Sequence, residues 1–106
     1  LDNETLDWFC EKYLPEPGDR QDWRASPLLA GRFDDLPPAV LITAGCDPLT
    51  DDCKAYASAL ESAGVPVTLH EFDGMVHGFF TLGKLFRQSA EAVELAGKAL
   101  EAALTR

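Results

Sequence analysis

One histidine of this 106-residue sequence sits in a frame of glycines, Gly74-Met75-Val76-His77-Gly78-Phe79-Phe80. An aspartate, Asp47, lies 30 residues upstream in Gly45-Cys46-Asp47-Pro48-Leu49. A buried carboxylate that accepts the Nδ1 proton of an imidazole fixes its tautomer and stabilises the imidazolium, leaving Nε2 to take a proton from a nucleophile. Proton transfer of that kind is the chemistry Asp47 and His77 could do together. Glycine reaches positive φ without steric cost, so Gly74 and Gly78 suit a tight turn that swings the His77 ring inward.

Regular elements must bring the two together. "AVLITA", Ala39 to Ala44, is apolar on both alternations except at Thr43 and reads as a central parallel strand covered on both faces. From Asp51 to Ala63 a helical stripe recurs at Cys53, Tyr56, Ala57 and Leu60, with Gly64 as its C′ residue. "VPVTLHEF", Val65 to Phe72, reads as a second strand. A last helix from near Leu85 to Leu104 is expected to put Phe86, Ala90, Val93, Ala96 or Gly97, Leu100, and Ala103 or Leu104 on one side. The order strand, helix, strand, helix makes parallel strands joined by a right-handed crossover. Ligands of open α/β sheets gather beyond the carboxyl ends of the strands. Asp47 follows the first strand, which ends near Gly45, and His77 follows the second, which ends near Phe72.

Upstream, Leu6, Phe9, Cys10, Tyr13 and Leu14 form one stripe of a helix with Asp2 or Asn3 as N-cap and Pro15 as its stop, which predicts one buried face. Residues 16–38 carry no period and read as a surface loop with a short turn at Ser26 to Leu29. Loops of that length tend to be functional or to lie against another segment.

Plainer readings compete at each position. His70, inside a strand, is expected to pack. Asp51 and Asp52 open a helix, where carboxylates favour the macrodipole. Asp73, beside a glycine, is a turn residue. Trp8, Trp23, Phe79 and Phe80 could line a pocket or simply fill cores. Phe79 and Val76, beside the histidine, are the candidates for touching a substrate.

Nine basic against eighteen acidic residues give a formal charge of −9, which repels nucleic-acid backbones and anionic membrane surfaces. No apolar stretch approaches the roughly 20 residues that a membrane span needs. Cys10, Cys46 and Cys53 match neither a disulfide framework nor a zinc site, and are expected to be reduced, mostly buried thiols of a cytoplasmic protein.

"SPLLA", "LPPAVLITAGCDPLTDD" and "YASALESAGVPVTLHEFDGMVHGFF" together resemble, in order and spacing, the C-terminal part of α/β-hydrolase esterases of the hormone-sensitive-lipase-like group. The resemblance runs from about Trp8 to the final helix. It implies an α/β fold of two parallel strands with flanking helices in an incomplete sheet. Residues 1–106 would be the C-terminal segment of one hydrolase domain, with 1–15 leading from the cap and 39–106 forming a β-α-β-α core unit. It further implies that Asp47 is the triad acid and His77 the triad base of a carboxylic ester hydrolase, with no metal or organic cofactor and a small ester as substrate.

The same family places its serine in Gly-x-Ser-x-Gly and draws oxyanion donors from an upstream glycine-rich loop. Ser26, Ser58, Ser62 and Ser89 all lack that glycine frame. The chain order Ser, Asp, His puts the nucleophile before Asp47, so the sequence is expected to be a fragment that is inactive alone. The sheet leads the same way: a two-stranded sheet is marginal, and a strand apolar on both faces needs neighbours. Those neighbours would be the N-terminal part of the hydrolase domain or, through the strand edges, another copy of the chain. Two further readings stay open, a ligand-binding protein on the same fold and a signalling module whose strand-end acid binds a cation or accepts a phosphoryl group.

Overall fold

A computed structural model describes residues 1–105 of the chain. Its helices are α1 (Asn3–Tyr13), α2 (Thr50–Ser62) and α3 (Arg87–Leu104), and its strands are β1 (Ala39–Cys46) and β2 (Val67–Val76). Short 3-10 turns occur at Asp19–Gln21, Pro27–Leu29 and Phe79–Thr81. Among the described residues no helix is long and apolar enough to cross a membrane.

β1 and β2 pair in parallel, as the strand, helix, strand order requires. Ala39 faces Val67 and the ladder stays in step to Ala44 opposite Phe72, after which Cys46 pairs with Val76. Gly45 alone therefore opposes Asp73, Gly74 and Met75, and this bulge carries β2 past the Phe72 end expected from the sequence, up to the residue before His77. A bulge bends its strand and re-aims the side chains beyond it. β2 also starts at Val67, two residues later than its pattern suggests, because Pro66 lends only its carbonyl, to the Ala39 N–H.

The pleat divides the two faces. Ile42 and Ala44 of β1 join Phe72, Met75, Phe79, Phe86 and Ala92 in one apolar cluster under α3. Leu41 lies with Leu49, Cys53 and Tyr56 on the α2 side. There Lys54 of α2 pairs with Glu71 of β2 at 3.0 Å. α2 ends in paired bonds from Gly64 N–H to Glu61 O and Val65 N–H to Leu60 O, both 3.0 Å, the Schellman pattern that its C′ glycine foretold.

Three expectations need correcting. α3 turns Ser89 and Ala92, 1% and 0% exposed, toward the sheet, while Val93, Leu100 and Leu104 of the predicted stripe are 49%, 62% and 80% exposed. The helix is apolar on two sides, and close approach to Ala44 and Phe79 selects the side with the smaller residues. α1 forms as expected, with Asp2 Oδ1 accepting the Thr5 N–H at 2.7 Å, but it buries no residue: Phe9 and Tyr13 stand 54% and 78% exposed. All three cysteines are free, yet Cys46 is exposed and Cys10 and Cys53 only half-buried: Cys46 ends β1, Cys10 lies on α1, which buries no residue, and Cys53 of α2 borders two cavities.

The radius of gyration is 15.5 Å, against about 13 Å for a closed domain of this length. The smallest extent is 20 Å, so the molecule is a slab two layers deep in places and open at the edges.

Candidate active site

Asp47 is the first residue beyond β1 and His77 the first beyond β2. His77 Nδ1 and Asp47 Oδ2 are 2.8 Å apart. An ionised carboxylate only accepts, so Nδ1 donates, and Nε2 is left with no partner among the described residues.

The backbone around each residue explains the meeting. The other Asp47 oxygen, Oδ1, accepts the Leu49 N–H at 2.9 Å, an Asx turn that locks the carboxylate over the start of α2. On the histidine side, Gly74 at φ 75° makes the bulge and Gly78 at φ 81° opens the 3-10 turn just after the ring. Gly74 thus lies inside β2 and not in the loop that the sequence suggested, while Gly78 does flank the turn. Both conformations cost a residue with a Cβ about 1–2 kcal/mol.

The Asp47 side chain is 12% exposed and the His77 ring 44%. Burial pushes the Asp47 carboxyl up, but the Leu49 N–H, the imidazole hydrogen bond and the imidazole charge outweigh it and hold the group below its ordinary value. The neighbouring Cys53 thiol is raised, first by burial and then by the charges of Asp47 and Asp52, so it is held as the inert thiol.

The ring forms part of the wall of a cavity of about 280 Å³, with Ile42, Thr43, Ala44, Asp47, Leu49, Thr50, Cys53, Gly78, Phe79 and Phe80. Phe79 is 4% exposed and packs against Phe72, so it meets the cavity as part of the core. Val76 ends β2 at 43% exposure and is not part of this wall. Phe80, 40% exposed, and Thr50 do belong to it. Thr50 carried no sequence signal beyond a hydroxyl at the start of a helix. His70 is half-buried opposite Ile42, Asp51 and Asp52 lie in the first turn of α2, and Asp73 is exposed in the bulge. None of these makes a hydrogen bond to His77. Among the described residues no group of three or more His, Cys, Asp or Glu could hold a metal ion.

The alpha/beta hydrolase fold profile matches residues 1–81. The chain belongs to the alpha/beta hydrolase fold family. Within it, the chain is similar to the ethyl acetate hydrolase of Pseudomonas putida, 40% identical over 101 residues, which cover 95% of this chain and 32% of that one. It is also similar to the hormone-sensitive lipase of Homo sapiens, 38% identical over 82 residues, covering 76% of this chain and 8% of the lipase. Among solved structures, the alpha/beta hydrolase enzyme LAE6 from the metagenome of Lake Arreo superimposes with a TM-score of 0.92 at 42% identity, over 100% of this chain and 33% of LAE6. This hydrolase-fold chain therefore spans about a third of the length of the Pseudomonas relative. The resemblance read from the Asp47 and His77 motifs is confirmed at the level of family and fold.

Proposed function

We propose that these residues are the C-terminal segment of a serine carboxylic ester hydrolase, with Asp47 as its triad acid and His77 as its triad base. The observation that carries the reading is the 2.8 Å contact between His77 Nδ1 and Asp47 Oδ2 at the carboxyl ends of two parallel strands. Nε2 would take the proton of a serine hydroxyl as that oxygen attacks the ester carbonyl, and then give it to the leaving alcohol. Water repeats the sequence to release the acid. Asp47, ionised throughout, holds the productive tautomer and stabilises the imidazolium.

The serine is assigned to the part of the domain that precedes these residues in the longer relatives. The serines of this chain do not line the cavity beside His77, and Ser26 and Ser89 already donate to the carbonyls of Arg20 and Phe79. Alone, the chain lacks the covalent step and the oxyanion donors and is expected to be inactive. The substrate is a small ester, with Phe79 and Phe80 on the cavity side of the base and Val76 at the rim. Residues 1–15 lead from the cap, and 39–106 are the core unit. The free edges of β1 and β2 take up the rest of the hydrolase domain or, failing that, a second copy of the chain. Three free thiols support a cytoplasmic location. The retained Asp47–His77 pair weighs against a purely ligand-binding protein.

The test is hydrolysis of short p-nitrophenyl esters by the complete polypeptide that carries these residues. His77→Ala is expected to lower turnover on the order of 10³-fold or more. Near-parental hydrolysis by that variant would end the assignment.

A further inference from the structure

The segments bearing Asp47 and His77 are each fastened from behind by a buried hydroxyl. Thr50, the first residue of α2, donates its Oγ1 hydrogen to Ala44 O, and its backbone N–H donates to Asp47 O at 3.2 Å. One residue thus grips both ends of the stretch from Ala44 to Asp47. Ala44 is also the last residue of β1 in step with β2 before the bulge. The grip thus braces the bulged end of β1, where Cys46 pairs with Val76 and Asp47 follows.

Across the rim, Ser89 of α3, 1% exposed, donates its Oγ hydrogen to Phe79 O. The other bonds of the His77 turn are local: Leu82 N–H to Phe79 O at 2.9 Å, and Thr81 to Gly78 O through both N–H and Oγ1 at 3.1 Å. Ser89 is ten residues from Phe79 in sequence and comes from another element. Its hydroxyl therefore registers the turn against α3, adding a directional bond to the apolar packing of Phe79 with Phe72, Phe86 and Ala92.

Building on the function proposed above, we infer that Thr50 and Ser89 are positioning residues for the acid–base pair. Their hydroxyls hold the two loop backbones so that the Asp47 Oδ2 to His77 Nδ1 bond keeps its length and direction. Ser89 is not part of the cavity wall, and Thr50, 7% exposed within it, turns its hydroxyl away to Ala44 O; both act through main-chain carbonyls. Phe79 O keeps its Leu82 donor when the Ser89 hydroxyl is lost, so the turn persists while its position loosens. A shift of about 1 Å in a reacting group costs up to about 10²-fold in rate, and a partial loosening costs less.

The test uses the complete polypeptide with Thr50→Val, which keeps the shape without the hydroxyl, Thr50→Ser, which keeps the hydroxyl, and Ser89→Ala. Thr50→Val and Ser89→Ala are expected to lower kcat about tenfold with KM within about twofold, and Thr50→Ser to stay near the parent. The low-field proton resonance of His77 Nδ1–H, which reports the bond to Asp47 whether or not esters are hydrolysed, is expected to broaden or move upfield in the first two and return in Thr50→Ser. If Thr50→Val or Ser89→Ala fails to fold, Ser89→Cys, close in shape to serine, and Thr50→Cys, which drops the γ-methyl, supply a weaker donor and are expected to show a smaller loss of the same kind. Lower melting temperatures with kcat and the resonance unchanged would overturn the inference, leaving the hydroxyls structural only. The expected resonance changes in a protein that hydrolyses no ester would support the positioning and sink the proposed function instead.

Discussion

The rim formed by the ends of β1 and β2 and the N-terminal segment through α1 are built on opposite principles. At the rim, Asp47 satisfies both oxygens, Thr50 and Ser89 tie loops to helices, and Phe79 anchors the turn in the core. α1 has an equally clear amphipathic pattern and a well-made N-cap, yet Trp8, Phe9 and Tyr13 stay more than half exposed. Pattern alone makes a helix, whereas order at a site requires partners from elements distant in sequence. The rim has them within this chain, and α1 does not.

The strongest way to break that contrast is at the carboxylate. Asp47→Asn in the complete polypeptide is expected to lower turnover on the order of 10³- to 10⁴-fold, because an amide cannot hold Nδ1 as donor and still stabilise the imidazolium. Ester hydrolysis kinetics check it, and an undiminished rate would leave the rim no more than well packed.

Phe79→Ala, which empties a 4% exposed site in the apolar cluster, is expected to cost about 3–5 kcal/mol in denaturant unfolding. Gly78→Ala, which forces a Cβ onto φ 81°, is expected to cost about 1–2 kcal/mol and to lower turnover as well.

The lowered Asp47 value gives a pH signature. A carboxyl depressed in the folded state stabilises it above the unfolded value, near 3.8, and loses that contribution as pH falls through the lower folded value. The stability difference between parent and Asp47→Asn is therefore expected to be full at neutral pH and to shrink well below pH 3.8, as urea midpoints across an acid series would show.

The smallest effect belongs to α1. Phe9→Ser is expected to change the stability of this 106-residue chain by about 0.5 kcal/mol or less, since an exposed side chain has little to lose. A loss of several kcal/mol in the complete polypeptide but not here would sharpen the comparison by showing that the rest of the domain covers the stripe.

Periodicity and capping made most of the fold legible. "AVLITA", the α2 stripe ending at Gly64, and the strand, helix, strand order are local signals, and β1, α2 and the parallel β1–β2 pair follow them, although Val40 stays 43% exposed in a sheet of two strands. The bulge was not legible: three residues opposite one is a property of two strands together, and the Asp73-Gly74 pair reads as an ordinary turn from one strand alone. The inward face of α3 was equally hidden, since Ser89 and Ala92 are weak hydrophobic signals beside Val93 and Leu100, and only the distance to the sheet decides between small and large.

By itself, then, the amino-acid order determined which residues can exchange a proton and which elements carry them, because residue chemistry and periodicity are written locally. The tertiary structure decided that Asp47 and His77 stand 2.8 Å apart and that Thr50 and Ser89 hold their loops. Those contacts join separate elements, and neither register nor helix distance exists until the strands have paired and α3 has docked.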